Sequence, residues 1–225
     1  CALPIYIDMA QVEGIFISHE HSDHIAGLQQ LLKRFDIPVY TKQGTWREIQ
    51  DKLVVPKNQL IELTKGSLSL GNLIVEPFAV SHDAADPIGI NVFSGKDKAT
   101  VVTDTGIISD DILHRIDDST LLVLEANYDP HMLRFGPYQP FLKQRVDSDE
   151  GHLSNEMAAQ ALLMMKRPDF MQVILAHRSE NNNNAVLVTQ TIGKMLVDGG
   201  VRIGPEMKLQ HGQPNEIVSM QSIKR

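Results

Sequence analysis

Six consecutive residues, His19-Glu20-His21-Ser22-Asp23-His24, follow directly on the apolar stretch Gly14-Ile15-Phe16-Ile17-Ser18. Neutral imidazoles and a carboxylate are the donors that zinc, manganese and iron accept. His19 and His21 stand two apart in an extended turn, so both can point to one side. Asp23 and His24 come where the chain enters a helix and can face a second point close by. The plain alternative is a polar helix cap with surface histidines. Against it, strand-to-helix loops are where binding and catalytic groups concentrate.

Four further positions can complete such a site. Val80-Ser81-His82 puts an imidazole at the end of a strand, and Leu175-Ala176-His177 does the same. Val101-Val102-Thr103-Asp104 puts a carboxylate at the end of a buried strand, and Gly151-His152-Leu153-Ser154 sets a histidine just ahead of a helix. Taken alone, each histidine reads as an ordinary hydrogen-bonded residue. Four such ends converging on one histidine cluster do not.

The elements that must position these residues alternate along the chain. Strands are expected at Gly14 to Ser18, Ile37 to Tyr40, Gln59 to Glu62, Ser67 to Leu70, Leu73 to Val80 and Ile88 to Phe93. Ala99 to Thr103 and Leu121 to Leu124 read as strands buried on both faces, and Val173 to Ala176 as another buried strand. Helical spacing runs from Ile25 to Phe35, from Thr45 to Leu53 and from Ala185 to Val197. Ser109 caps a helix reaching Arg115, and Ser154 starts one that stops before Pro168. Asn181 to Asn184 reads as a loop, and the chain from Arg202 onward as a weak terminal region. A β-rich first half and an alternating second half predict helices outside packed sheets, in one α/β domain over residues 1–225.

The chain of 225 residues is 42% hydrophobic and 22% charged, which argues against disordered and fibrous classes. No apolar run approaches membrane-spanning length and no secretory pattern is evident, so no membrane partner is expected. The single cysteine, Cys1, forbids an internal disulfide and fits a reducing compartment, so the cytoplasm is expected. A net charge of −7 opposes non-specific nucleic-acid binding by the whole surface, so such a substrate needs a local basic patch or bound metal. Arg134, Lys143, Arg145 and Arg178 are candidates for phosphate contacts, as well as for scattered solvated charge. Of nine histidines, His114, His131 and His211 carry no motif.

Several stretches together resemble the metallo-β-lactamase-fold hydrolases, and within them the YycJ/WalJ (VicX) exonuclease-like subfamily. They are Ile17 to His24, Val80-Ser81-His82-Asp83-Ala84-Ala85-Asp86-Pro87, Thr103-Asp104-Thr105-Gly106, Leu124-Glu125-Ala126-Asn127-Tyr128-Asp129, Gly136-Pro137-Tyr138 and Gly151-His152-Leu153-Ser154-Asn155-Glu156. The resemblance covers essentially everything from Glu13 onward. It implies a four-layer αββα sandwich with two divalent metal ions, zinc or manganese, at one sheet edge. By position, His19, His21 and His82 would hold one ion, Asp23, His24 and His177 the other, and Asp104 would bridge them. Two such ions acidify a shared water and neutralise a phosphate in flight. The catalytic set implied is His152, Glu125 and Asp23, with His152 handling the leaving-group proton and Glu125 paired to it. Relatives of this kind begin with a further strand-rich segment. Here eighteen residues precede His19, of which Leu3 to Asp8 can form one strand, so the first sheet is expected to lack its usual N-terminal strands.

The leading expectation is thus a metal-dependent nuclease acting on DNA from the 5′ end. The alternative is a small-molecule acyl hydrolase, a lactonase or thioesterase, using the same nucleophile on an acyl carbon. Zinc β-lactamases that place a cysteine in the second metal site are disfavoured, because Cys1 lies far from every motif. A non-catalytic, metal-stabilised interaction domain is disfavoured because no ligand is missing. Only 72 residues separate Asp104 from His177, too few for an inserted second nuclease domain.

Overall fold

The computed structural model describes residues 8–64, 66–213 and 217–218; the expected strand from Leu3 and the lone Cys1 lie outside the described residues. Three separate apolar clusters divide the chain into four layers. Helices α1 (Ser22–Ile25), α2 (Leu28–Leu32) and α3 (Gln43–Gln50) bury Ile25, Leu28, Leu32 and Ile49 against Ile17 and Val39 of the first sheet. Tyr40, Leu63 and Ile88, with Phe16, Leu68 and Ile90 around them, fill the space between the two sheets. The largest cluster lies beyond the second sheet, where Leu122, Leu124, Val173 and Leu175 meet Ile112, Ile116, Leu162, Val188 and Ile192. Those partners come from α4 (Asp110–Ile116), α7 (Asn155–Met164) and α8 (Ala185–Asp198). This is the αββα sandwich, each layer hiding the apolar face of the next.

The first sheet joins β1 (Ile15–Phe16), β2 (Val39–Thr41) and β3 (Leu60–Glu62), all parallel. The second has the order β10-β9-β8-β7-β6-β5-β4. Its members are β4 (Leu68–Leu70), β5 (Leu73–Ala79), β6 (Ile88–Ser94), β7 (Asp97–Val102), β8 (Leu121–Glu125), β9 (Met171–Ala176) and β10 (Met207–His211). Strands β7 to β10 pair in parallel, while β6 is antiparallel to both β5 and β7. Hence β5, β7, β8 and β9 all run the same way and end on one edge. A backbone bond from Ile88 N to Ser18 O, 3.1 Å, brings the end of the first sheet to the same place.

Four local expectations are corrected. The helix expected from Ile25 to Phe35 is two helices, α1 and α2, broken at Ala26-Gly27, and α1 reaches back to Ser22. Glycine is a weak helix former, so the break falls there. Strand β7 is not buried on both faces: Val101 is 40% exposed, because the narrower first sheet packs over Ile88 and Ile90 and not over it. The terminal region holds a strand, β10, whose five residues pair in register with β9. Two unforeseen helices, α5 (Pro130–Phe135) and α6 (Pro140–Val146), lie between β8 and α7. Each starts with proline at its first turn, where the missing N–H costs nothing.

Candidate metal centre and its supports

Asp104 and His177 stand just beyond the ends of β7 and β9, and both take a left-handed backbone, at φ 57° and 52°. That conformation is uncommon outside glycine but tolerated by Asp and His, and it turns these side chains out of the strand direction at the edge. Gly106 completes the turn. A Cβ there would lie 2.2 Å from Ser148 O, so only glycine lets the 148–151 loop close over it.

His19, His21 and His82 offer nitrogen atoms that all lie within 4.8 Å of one another. His82 Nδ1 faces the carbonyl oxygens of Glu150 and Gly151, both at 3.1 Å, and donates there. Its Nε2, 3.2 Å from His21 Nδ1, is thereby left as an acceptor. His19 Nε2 is buried with no hydrogen-bond partner. Burial, helped by the charge of His24, pushes the His19 imidazole down to about 3, and burial likewise lowers His82. Both rings are neutral at physiological pH, as a metal ligand must be.

Asp23, His24 and His177 form a second group within the same 4.8 Å limit. Asp23 Oδ2 lies 3.6 Å from both His24 Nε2 and His177 Nε2. Asp104 sits between the groups. Its Oδ1 is 3.3 Å from His177 Nε2 and 3.8 Å from His82 Nε2, and its Oδ2 is 3.4 Å from His24 Nε2. The Asp104 side chain is 3% exposed, and its Oδ2 has no hydrogen-bond partner. A buried carboxylate oxygen and a buried imidazole nitrogen left unpaired are costly, and a divalent cation is the group that satisfies both. The donor set of nitrogen and carboxylate oxygen therefore fits zinc or manganese.

Glu125, wholly buried at the end of β8, backs the opposite side. Its Oε1 accepts from His177 Nδ1 at 2.7 Å and from His152 Nδ1 at 2.8 Å. Its Oε2 accepts from the backbone N–H of Thr105 at 3.1 Å and Leu153 at 3.2 Å. Burial alone would raise this carboxyl, but the hydrogen bonds from His152 and His177 hold it below its ordinary value. Burial would likewise lower His177, yet Glu125, Asp104 and Asp23 carry it up to about 9. Asp104, Glu125, His152 and His177 also meet as a possible ligand group. Because the facing Glu125 oxygen is already occupied by two imidazole donors, they are better read as a hydrogen-bonded support than as a third ligand set.

All nine residues singled out from the sequence thus meet at one edge: His19, His21, Asp23, His24, His82, Asp104, Glu125, His152 and His177. His114, His131 and His211 lie elsewhere, against Asp110 O, the Phe135 ring and Thr189 Oγ1. The supports were not legible. Ser18 Oγ lies 3.1 Å from His19 Nδ1 and 3.2 Å from His24 Nδ1. Glu20 Oε1 accepts from Ala85 N at 2.8 Å, tying the histidine turn to the loop after His82. Asp83 contacts His82 Nε2 at 3.5 Å and His21 Nε2 at 3.8 Å and pairs with Arg145 through both oxygens. Asn127 Nδ2 donates to His177 O at 2.8 Å. The asparagine run does lie in a loop, but Asn182 and Asn183 are buried, and Asn183 exchanges side-chain bonds of 2.8 and 3.1 Å with Asn155.

Residues 2–177 match the family model of the β-lactamase superfamily domain. The chain is 33% identical over 219 residues to the exodeoxyribonuclease YycJ of Bacillus anthracis, covering 96% of this chain and 83% of that one. It belongs to the metallo-β-lactamase superfamily, in its YycJ/WalJ family. The exodeoxyribonuclease WalJ of Streptococcus pneumoniae is 30% identical over 217 residues, covering 94% of this chain and 80% of its own. Among solved structures, the metallo-β-lactamase-fold protein YhfI of Bacillus subtilis superposes with a TM-score of 0.65 over 88% of this chain and 74% of its own, at 15% identity. This YycJ/WalJ-family member is a metal-dependent hydrolase. Among its described residues no helix is long and apolar enough to cross a membrane.

Proposed function

We propose that this family member is a DNA exonuclease of the cytoplasm, cleaving phosphodiesters from the 5′ end. His19, His21 and His82 would hold one divalent ion, zinc or manganese, and Asp23, His24 and His177 a second, with Asp104 contributing to both. Bound there, they would neutralise charge on the scissile phosphate and acidify the attacking water. The observation that carries the reading is the single buried oxygen of Glu125 shared by His177 and His152. It favours an Nδ1–H on both rings and leaves their Nε2 atoms for other partners: that of His177 lies 3.3 Å from Asp104 Oδ1, and that of His152 would serve the leaving oxygen. In the step itself His152, acting as the imidazolium, would give its Nε2 proton to the departing alkoxide while its Nδ1–H stays bonded to Glu125. Asp23 is 66% exposed and faces the rings of His24 and His177, which supports a role for it as both ligand and proton acceptor at the open side. The names of the YycJ and WalJ relatives support DNA as substrate.

Duplexes labelled at the 5′ or the 3′ end, incubated with protein loaded with zinc or manganese, test this. Release of labelled mononucleotide from the 5′ end first is expected, and His152→Ala should slow it by about 10²- to 10⁴-fold. Turnover of a lactone or thioester with both duplexes left intact would sink the nuclease reading in favour of acyl hydrolysis.

A further inference from the structure

Residues 130–146, which form α5 and α6, contain three cations and no carboxylate in a chain whose net charge is −7. Phe135 and Phe141 are each 67% exposed on this insert. The Arg134 guanidinium lies over the Phe135 ring at 5.4 Å, and the His131 ring is 4.6 Å from it. Lys143 Nζ donates to Arg134 O at 2.8 Å, which ties α6 to the end of α5 and brings its ammonium close to Phe135. Among the described residues neither Arg134 nor Lys143 is in an ion pair, whereas Arg145 is paired with Asp83. The acids that flank the insert are engaged elsewhere. Asp129 caps α5 at Met132 N, and Asp147 accepts from Tyr128 Oη.

The insert is continuous with the metal centre. His152 N donates to Val146 O at 3.0 Å, so the last turn of α6 abuts the proposed general acid. Gly151 packs so closely there that a Cβ would stand 2.3 Å from Arg145 O and Val146 O. Arg145 reaches Asp83, which touches His21 and His82. A strand leaving the site past His152 would meet α6 first.

Unpaired bases stack on exposed aromatic rings, while cations nearby follow the phosphates. A paired duplex keeps its bases stacked on one another and has none to offer. We infer that the α5–α6 insert is a platform for single-stranded DNA, on which Phe135 and Phe141 stack the unpaired bases adjoining the scissile phosphate. This rests on the nuclease reading and specifies its substrate as a strand unpaired next to the cut.

Metal-loaded protein, titrated with a fluorescent phosphorothioate oligothymidine alone or annealed to its complement, reads this by anisotropy. Phe135→Ala with Phe141→Ala should weaken single-strand binding by about tenfold or more, with at most about a threefold change for the duplex. Phe135→Trp with Phe141→Trp should retain it. Arg134→Ala with Lys143→Ala should lower the salt slope by about 0.7 per cation removed. Both phenylalanine variants should hydrolyse bis(p-nitrophenyl) phosphate at the wild-type rate, since that diester carries no further nucleotides to lie along the insert. Unchanged single-strand affinity in the phenylalanine variant overturns the platform, as does an equal loss for single strand and duplex. So does a wild-type dimer that the same variant dissociates, which would make the face a contact between copies. Wild type that binds the strand through both rings yet cleaves neither DNA nor the aryl diester would keep the platform and sink the nuclease reading.

Discussion

The imidazoles of this site are backed in two different ways. His19, His24 and His82 lean on uncharged groups, the Ser18 hydroxyl and the backbone carbonyls of Glu150 and Gly151. His152 and His177 lean on one carboxylate, Glu125, with no exposure to solvent. Burial and carboxylate backing pull two of these rings apart. His19 falls to about 3 and His177 rises to about 9. His19 and His82 are neutral and ready to take a cation at neutral pH. His177 must give up a proton first, and would be the more basic ligand in return.

The sharpest way to break this contrast is to remove the group between the two sides. Asp104→Ala should lower turnover by about 10³-fold or more and remove bound metal from both positions, read by assay and by metal analysis. Next is pH. In metal-free protein His177 is protonated below about 9, and the metal must displace that proton. Affinity for the second ion should therefore climb by about tenfold per unit from pH 7 toward 9 and flatten above it, with one proton released per ion in calorimetry. Glu125→Gln should flatten that climb and lower affinity at pH 9 by about 10- to 100-fold.

Smaller effects separate the two backings further. Ser18→Ala should cost about tenfold in metal affinity with no change in its pH dependence, and Ser18→Thr should restore it. Asn183→Ala leaves Asn155 and Ala126 O short of partners and should cost about 1–3 kcal/mol of stability by urea denaturation, with little effect on metal binding once folded.

The residues that meet at this edge were legible because their chemistry sits in the residue type and their place at strand ends. A strand end is marked by an apolar run, so Val101-Val102 announces Asp104 and Ile174-Leu175-Ala176 announces His177. Most of what backs them was not legible, because hydrogen-bond partners are chosen by the fold; Glu125 was expected beside His152 from the family resemblance, but not its bond to His177. Ser18 lies beside His19 in sequence, but Glu125 and His177 are brought together only by the β8–β9 register, in which Glu125 pairs with Ala176. Strand β10 escaped notice because Lys208 and Gln210 interrupt its apolar pattern, which an edge strand tolerates. Helices α5 and α6 are too short for their periodicity to register, although Asp129-Pro130 is a helix-start signal. Asn182 and Asn183 look like any polar loop, and only their burial distinguishes them.

The left-handed backbone at Asp104 and His177 bears on how this enzyme responds to selection. A non-glycine residue held there stores strain, of about 1–2 kcal/mol in the general case and less for Asp. A search for thermostable variants that ignores activity would favour glycine at both positions and discard two of the proposed ligands. Asp118 supplies the control, at φ 56° on the surface and away from the metal centre. Glycine there relieves the same kind of strain while every ligand stays, so the two kinds of site divide stability that is free from stability won at the expense of catalysis.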